Sequence, residues 1–222
     1  MTARLDPADP QSAREFIVEN TKPIAPPLVP EIMLRLAEES LPIWQKTEDE
    51  LDALNVPPPY WAFAWAGGQA VSRYLLDHPE ICRGRTVLDI GAGSGISAIA
   101  AAKTGAAHVM AADIDGLAVA ACAVNAGANG VAIETRLADL LDSEPPQGSV
   151  VILGDLFYER QLAARVTQYI DRARERGCLV YIGDPRRSYF PENRFTPLAE
   201  YQVPVTRELE DYDIKRTTVW GG

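Results

Sequence analysis

Apolar residues in this chain fall into two rhythms. From residue 85 onward, short apolar runs recur: Val87 to Ile90, a second run ending at Asp113, Ile133 to Leu137, Val150 to Leu153, Cys178 to Ile182, Tyr201 to Val205 and Thr217 to Trp220. Val150 to Leu153 is apolar throughout, as suits a central parallel strand buried on both faces. Between the early runs lie segments of helical character: a small-residue stretch to about Lys103, an alanine-rich stretch from Leu117 to Ala128, and Glu159 to Ala173, where Leu162, Val166, Ile170 and Ala173 recur at helical spacing. Strand alternating with helix predicts an α/β domain with a mostly parallel seven-stranded sheet and helices on both faces. The last two strands have no helix between them.

Residues 1–60 follow a different pattern, and the domain is placed at 61–222. Ser12 to Asn20 fits one amphipathic helix. Pro23, Pro26, Pro27 and Pro30 exclude regular helix and predict an extended tract. Glu31 to Leu41 regains a helical pattern, with Ile32, Leu36 and Leu41 on one face, and Thr47 with Glu50 forms a capping box for a further short helix. The expectation is an N-terminal helical and proline-rich cap over the open end of the sheet; the competing reading is a packing extension.

The first βαβ unit carries the strongest chemical signal. Val87-Leu88-Asp89-Ile90 breaks into Gly91-Ala92-Gly93-Ser94-Gly95, then a helix, then a strand ending at Asp113. Glycines at such a turn let the backbone approach a ligand, and an acid ending the second strand accepts hydrogen bonds from ribose hydroxyls. The dinucleotide fingerprint needs a small residue where Ile96 stands, which counts against NAD. With Asp89 before the glycines and Asp113 after the next strand, the pattern resembles motif I of class I S-adenosylmethionine (SAM) methyltransferases. That resemblance implies a Rossmann-like fold and a cofactor cradle of Asp89, Gly91, Gly93, Gly95 and Asp113. It also implies a contact from Asp139-Leu140, at the end of the third strand, to the adenine.

Composition narrows the classes further. The 222 residues carry a formal net charge of −10, which disfavours a nucleic-acid partner. The charge either steers a lysine-bearing substrate or keeps the surface soluble. No run reaches the roughly 18 apolar residues of a membrane span, and MTARLDPADP lacks the features of a signal or transit peptide. Cys82, Cys122 and Cys178 are widely spaced and the two histidines lie far apart, so the expectation is reduced thiols, a cytoplasmic setting and no metal.

Two further stretches stand out. Pro57 to Gln69 holds Tyr60, Trp61, Phe63 and Trp65 ahead of a Gly67-Gly68 pair and a helix to about Leu76. Such aromatics either fill a core or line the pocket of a cationic ligand. At the end of the fourth strand, Gly154-Asp155-Leu156-Phe157-Tyr158-Glu159 faces the same crevice as the glycine turn. Asp155 and Tyr158 there could orient an amine for methylation, or Asp155 could simply cap the following helix.

Taken with TKPIAPPLVPEI, PIWQKTEDEL, PPPYWAFAWAGGQAVSRYLLDHP, GDLFYE, TRELEDYD and TTVW, these stretches resemble the D/E-x-x-Y/F seven-β-strand protein lysine methyltransferases. The similarity is greatest to the electron transfer flavoprotein β-subunit lysine methyltransferase group, whose bacterial members are often labelled predicted nicotinamide N-methylases. The resemblance implies catalytic roles for Asp155 and Tyr158, a SAM contact from Trp65, ribose binding by Asp113 and a lysine-bearing protein substrate, the flavoprotein β subunit among the candidates. Methylation of a small amine or pyridine such as nicotinamide is the alternative, and a non-catalytic SAM-binding module the next. Leu156-Phe157 departs from the N/D-P-P-Y motif of nucleobase amino-methyltransferases.

Overall fold

The computed structural model describes residues 9–37, 58–205 and 214–222. Among these, a seven-stranded sheet forms the centre of the molecule, ordered β5-β4-β3-β6-β7-β9-β8. Its strands are β3 (Thr86–Ile90), β4 (His108–Asp113), β5 (Glu134–Leu137), β6 (Val150–Gly154), β7 (Leu179–Asp184), β8 (Thr196–Pro204) and β9 (Ile214–Gly221). The pairs from β5 through to β7 are parallel, while β9 is antiparallel to both β7 and β8. The order reverses between β3 and β6, which opens a crevice at the carboxyl ends of these strands.

Helices α2 (Ala66–Asp77), α3 (Ile96–Lys103), α4 (Gly116–Ala128) and α5 (Arg160–Glu175) flank the sheet. The alternation of side chains along β6 separates two cores. Val150 and Ile152 join Ala66, Ala70, Val71 and Leu75 of α2, whereas Val151 and Leu153 join Val166, Tyr169, Ile170 and Ala173 of α5. All four β6 residues are fully buried, as a central parallel strand requires.

Before these come α1 (Pro10–Asn20) and a two-stranded antiparallel sheet of β1 (Lys22–Ile24) and β2 (Leu34–Leu36). Helix α1 is capped by Asp9, whose carboxylate accepts from the Ser12 N–H at 2.9 Å. It buries Ala13 and Ile17 against Trp61 and against Leu117, Ala118 and Ala121 of α4.

The helix expected from Glu31 to Leu41 is replaced, in its described part, by β2. The spacing of four between Ile32 and Leu36 satisfies a strand as well as a helix, and buried Leu34 between them settles the period at two. The N–H of Arg35 finds a side-chain acceptor in Asn125 Oδ1 of α4 at 2.7 Å, and that of Met33 finds Asn129 Oδ1 at 3.0 Å. Val29, Ile32, Leu34 and Leu36 pack on Ile96, Ile99 and Ala100 of α3. The described N-terminal segment therefore packs on α3 and α4, and among the described residues those lining the crevice begin at Pro58. The capping box at Thr47 and Glu50 lies outside the described residues.

Candidate active site

The turn after β3 is the most constrained part of the crevice. Gly91, Gly93 and Gly95 have φ of 65°, 52° and 79°, the left-handed region that other L-residues avoid. A Cβ on Gly95 would lie 2.9 Å from Cys122 Sγ, so that glycine sets the approach of α3 to α4. Asp89 is buried and accepts the Ala98 N–H, in the first turn of α3, at 3.0 Å; burial pushes its carboxyl up to about 7. Asp89 and Gly95 thus brace the turn from behind, outside the cavity lining.

Asp113, at the end of β4, reaches across to the turn. Its Oδ2 accepts the Gly93 N–H at 2.9 Å and its Oδ1 the Asp115 N–H at 3.0 Å. Burial pushes this carboxyl up, against the two backbone donors. Asp113, Gly91 and Gly93 line a cavity of about 570 Å³ whose walls also carry Trp65, Asp155 and Tyr158.

The aromatic stretch divides between core and cavity. Trp61 is fully buried, while Tyr60 and Tyr158 are half exposed, with ring centroids 6.2 Å apart. Trp65 is the N-cap residue of α2 and donates its indole N–H to the Tyr60 carbonyl at 2.8 Å. It meets Tyr60 edge-on at 6.0 Å. Asp139 sits at the exposed rim, its Oδ2 paired with Arg165 at 2.8 Å and its Oδ1 accepting the Leu141 N–H; Leu140 lines the cavity beside it.

The structure gives Asp155 a setting that the sequence did not disclose. It does not cap the helix that follows, because α5 begins at Arg160 with Glu159 as its N-cap residue. It is buried, with φ of 59°, at the point where β6 and β7 end together. Its Oδ2 accepts the Gly68 N–H of α2 at 3.0 Å, so it serves the first turn of a distant helix whose own N-cap residue, Trp65, makes no side-chain cap. Its Oδ1 accepts both the Nε (3.0 Å) and the Nη2 (2.6 Å) of Arg187.

This arrangement needs a close crossing of α2 over β7. A Cβ on Gly67 would lie 2.1 Å from the Gly183 carbonyl oxygen, and one on Gly183 2.0 Å from that of Gly67. Arg187 was not picked out from the sequence. The available signal was Gly183-Asp184-Pro185-Arg186-Arg187, another acid at a strand end followed by cations. Its guanidinium lines the cavity and lies 5.6 Å from the Trp65 ring centroid. Asp184 is fully buried behind it, with Oδ1 accepting the Arg187 N–H at 2.7 Å and burial pushing its carboxyl up to about 7. Among the described residues, no group of three or more His, Cys, Asp or Glu side chains is placed to hold a metal.

Comparison with known proteins adds to this geometry. The family model of the ribosomal protein L11 methyltransferase (PrmA) matches residues 71–157. The electron transfer flavoprotein beta subunit lysine methyltransferase of Xenopus laevis is 39% identical, over 93% of this chain and 85% of that one. Its Homo sapiens counterpart is 36% identical, over 96% and 82%. Among solved structures, ribosomal protein L11 methylase from Lactobacillus delbrueckii subsp. bulgaricus is similar with a TM-score of 0.52 and 23% identity, over 72% of this chain and 79% of that one. Magnesium protoporphyrin IX methyltransferase from Synechocystis PCC 6803 with bound SAM has a TM-score of 0.51 at 18% identity, over 70% and 79%. The last two resemblances bear on the fold.

Proposed function

The chain belongs to the family of the electron transfer flavoprotein beta subunit lysine methyltransferases, and from that premise we propose that it moves a methyl group from SAM to the Nε of a protein lysine, the acceptor being the flavoprotein β subunit. The observation that supports this most is that two acids of different duty, Asp113 and Asp155, wall one cavity together with Tyr158.

The residues at the glycine turn suit SAM. Asp113 is held by two backbone N–H groups with its carboxylate at the cavity wall, where it can accept from both ribose hydroxyls. Gly91 lines the wall where a side chain would intrude, since its Cβ would meet Leu156 Cδ2 at 2.7 Å. The faces of Trp65 and Tyr60 suit a sulfonium. When bound, SAM supplies a methyl group made electrophilic by that sulfonium.

The acceptor's neutral amine presents its lone pair to the methyl carbon. Asp155 and Tyr158 hold that amine in line by accepting from its N–H groups. After transfer the methylated ammonium passes its extra proton to water. Burial pushes the Tyr158 hydroxyl up, so it stays a neutral hydrogen-bonding group at neutral pH.

Incubation with methyl-labelled SAM, purified flavoprotein β subunit and, separately, a small-molecule fraction containing nicotinamide tests the assignment. Label on a lysine of the β subunit is the expected result. Label confined to nicotinamide or another small amine would replace it with the small-molecule reading.

A further inference from the structure

We propose that Arg187 determines the protonation state of the amine that the site accepts, excluding the ammonium and admitting the neutral nucleophile. The inference rests on the reading of Asp155 as the group that receives the amine. A lysine side chain is almost wholly protonated at neutral pH, yet only its unprotonated nitrogen has a lone pair to give. A bare buried carboxylate would favour the wrong form, because an opposite charge within a few ångström raises an amine's pKa.

The geometry corrects this. Both Nε and Nη2 of Arg187 fall on Oδ1 of Asp155, at 3.0 and 2.6 Å. The pair is largely shielded from water, with side-chain exposures of 17% and 9%, so solvent screens it weakly. An amine reaching Asp155 meets a compensated pair instead of a net negative charge. The guanidinium is itself a like charge for any ammonium in the cavity it lines, and the Trp65 ring lies against it.

Asp184 and Tyr158 also feel the Arg187 charge, and Asp113, Asp115, Asp139 and Arg165 share the cavity. Asp184 faces Arg187 from the end of β7, accepting its backbone N–H, and burial pushes that acid up to about 7. Tyr158 feels Arg187 together with Glu159, Asp113 and Tyr60, and it remains uncharged. The proton lost by the substrate goes to bulk water before the amine is seated, so the chain needs no general base of its own.

The test uses n-butylamine, which titrates like a lysine side chain, with binding followed by tryptophan fluorescence between pH 7.5 and 10 in the presence of S-adenosylhomocysteine. Wild-type affinity should rise by close to tenfold per pH unit, tracking the neutral fraction. Arg187→Gln should bind the ammonium at least about tenfold more tightly than wild type at pH 8, and Arg187→Lys, which keeps the charge, should behave like wild type. Wild-type binding equally tight at pH 7.5 and 10 overturns the proposal even if the Gln variant fails to fold. On the β subunit, the ascending limb of the turnover profile should move to higher pH by about one unit in Arg187→Gln. If the titrations come out as expected but the β subunit takes no label, the substrate assignment falls and the role of Arg187 stands.

Discussion

Asp155 carries more than one duty, and its two oxygens separate them. Oδ2 closes the first turn of α2 and Oδ1 holds Arg187. Asp155→Asn keeps the size but puts an amide where two donors, Gly68 N–H and the guanidinium, require acceptors. The variant should lose about 3 kcal/mol of stability, because the Arg187 guanidinium loses the charged acceptor of two of its N–H groups in a largely buried position. Assayed well below its lowered melting temperature, its turnover should still fall by about 10²-fold or more, with SAM affinity nearly unchanged. Turnover close to wild type would end the catalytic assignment. Tyr158→Phe isolates the chemistry from the packing, since that side chain is half exposed. It should leave stability within about 0.5 kcal/mol of wild type and reduce turnover by about tenfold. The sequence made Asp155 and Tyr158 visible because a carboxylate at a strand end in an α/β sheet faces the crevice whatever follows it. It hid Arg187, because nothing local distinguishes a loop arginine that folds back on the neighbouring strand from one in solvent. Asp89 illustrates the opposite limit: its place beside the glycines is legible, whereas its engagement with the Ala98 N–H depends on how α3 docks.

At the scale of elements, each strand and helix expected from β3 onward is present, most within about three residues of its expected bounds, although β8 begins at Thr196, well before the expected Tyr201, because its largely exposed positions give no apolar rhythm. The error fell on Glu31 to Leu41, where four-residue spacing fits either structure and side-chain acceptors from α4 decided between them. The contact of α2 with β7 is equally invisible in one dimension, although its glycines are plain to see. Gly67 faces the Gly183 carbonyl so closely that Gly67→Ala forces the helix off the strand, displacing Asp155 as well, whose Oδ2 would be 2.5 Å from the new Cβ. The expected cost is about 3 kcal/mol or more, at the upper end for overpacking, with loss of turnover. Gly68→Ala, one residue on, meets only the movable Ile96 Cγ2 at 3.2 Å and gains helix propensity. It should change stability by less than about 1 kcal/mol. Thermal melts of the two variants side by side check the contrast, and equal losses would contradict the crossing.

Across the whole molecule, acids in and behind the crevice wall have their ionisation opposed by burial. Asp89 and Asp184 are pushed up to about 7 and Asp115 to about 6, in each case chiefly by burial. In the unfolded chain each of these returns to an ordinary carboxylate value near 4. Between that value and the folded one, the native state binds more protons than the unfolded state, so stability falls as pH rises through this window. The melting temperature should therefore peak near pH 4 and decline toward pH 8. Below about pH 4 the trend reverses, since Glu31, held down by its hydrogen bond to Arg73, must then be protonated. Asp184→Asn separates one contribution. Its amide oxygen can still accept the Arg187 N–H, but it cannot titrate, and its NH2 group replaces an Oδ2 that has no hydrogen-bond partner among the described residues. That buried donor costs stability at every pH, so the slope and not the absolute melting temperature is the quantity to compare. The decline between pH 5 and pH 8 should be shallower in Asp184→Asn than in wild type. A wild-type melting temperature that climbs over this range would mean that the crevice acids are ionised at ordinary pH and that the charge balance drawn around Arg187 is wrong.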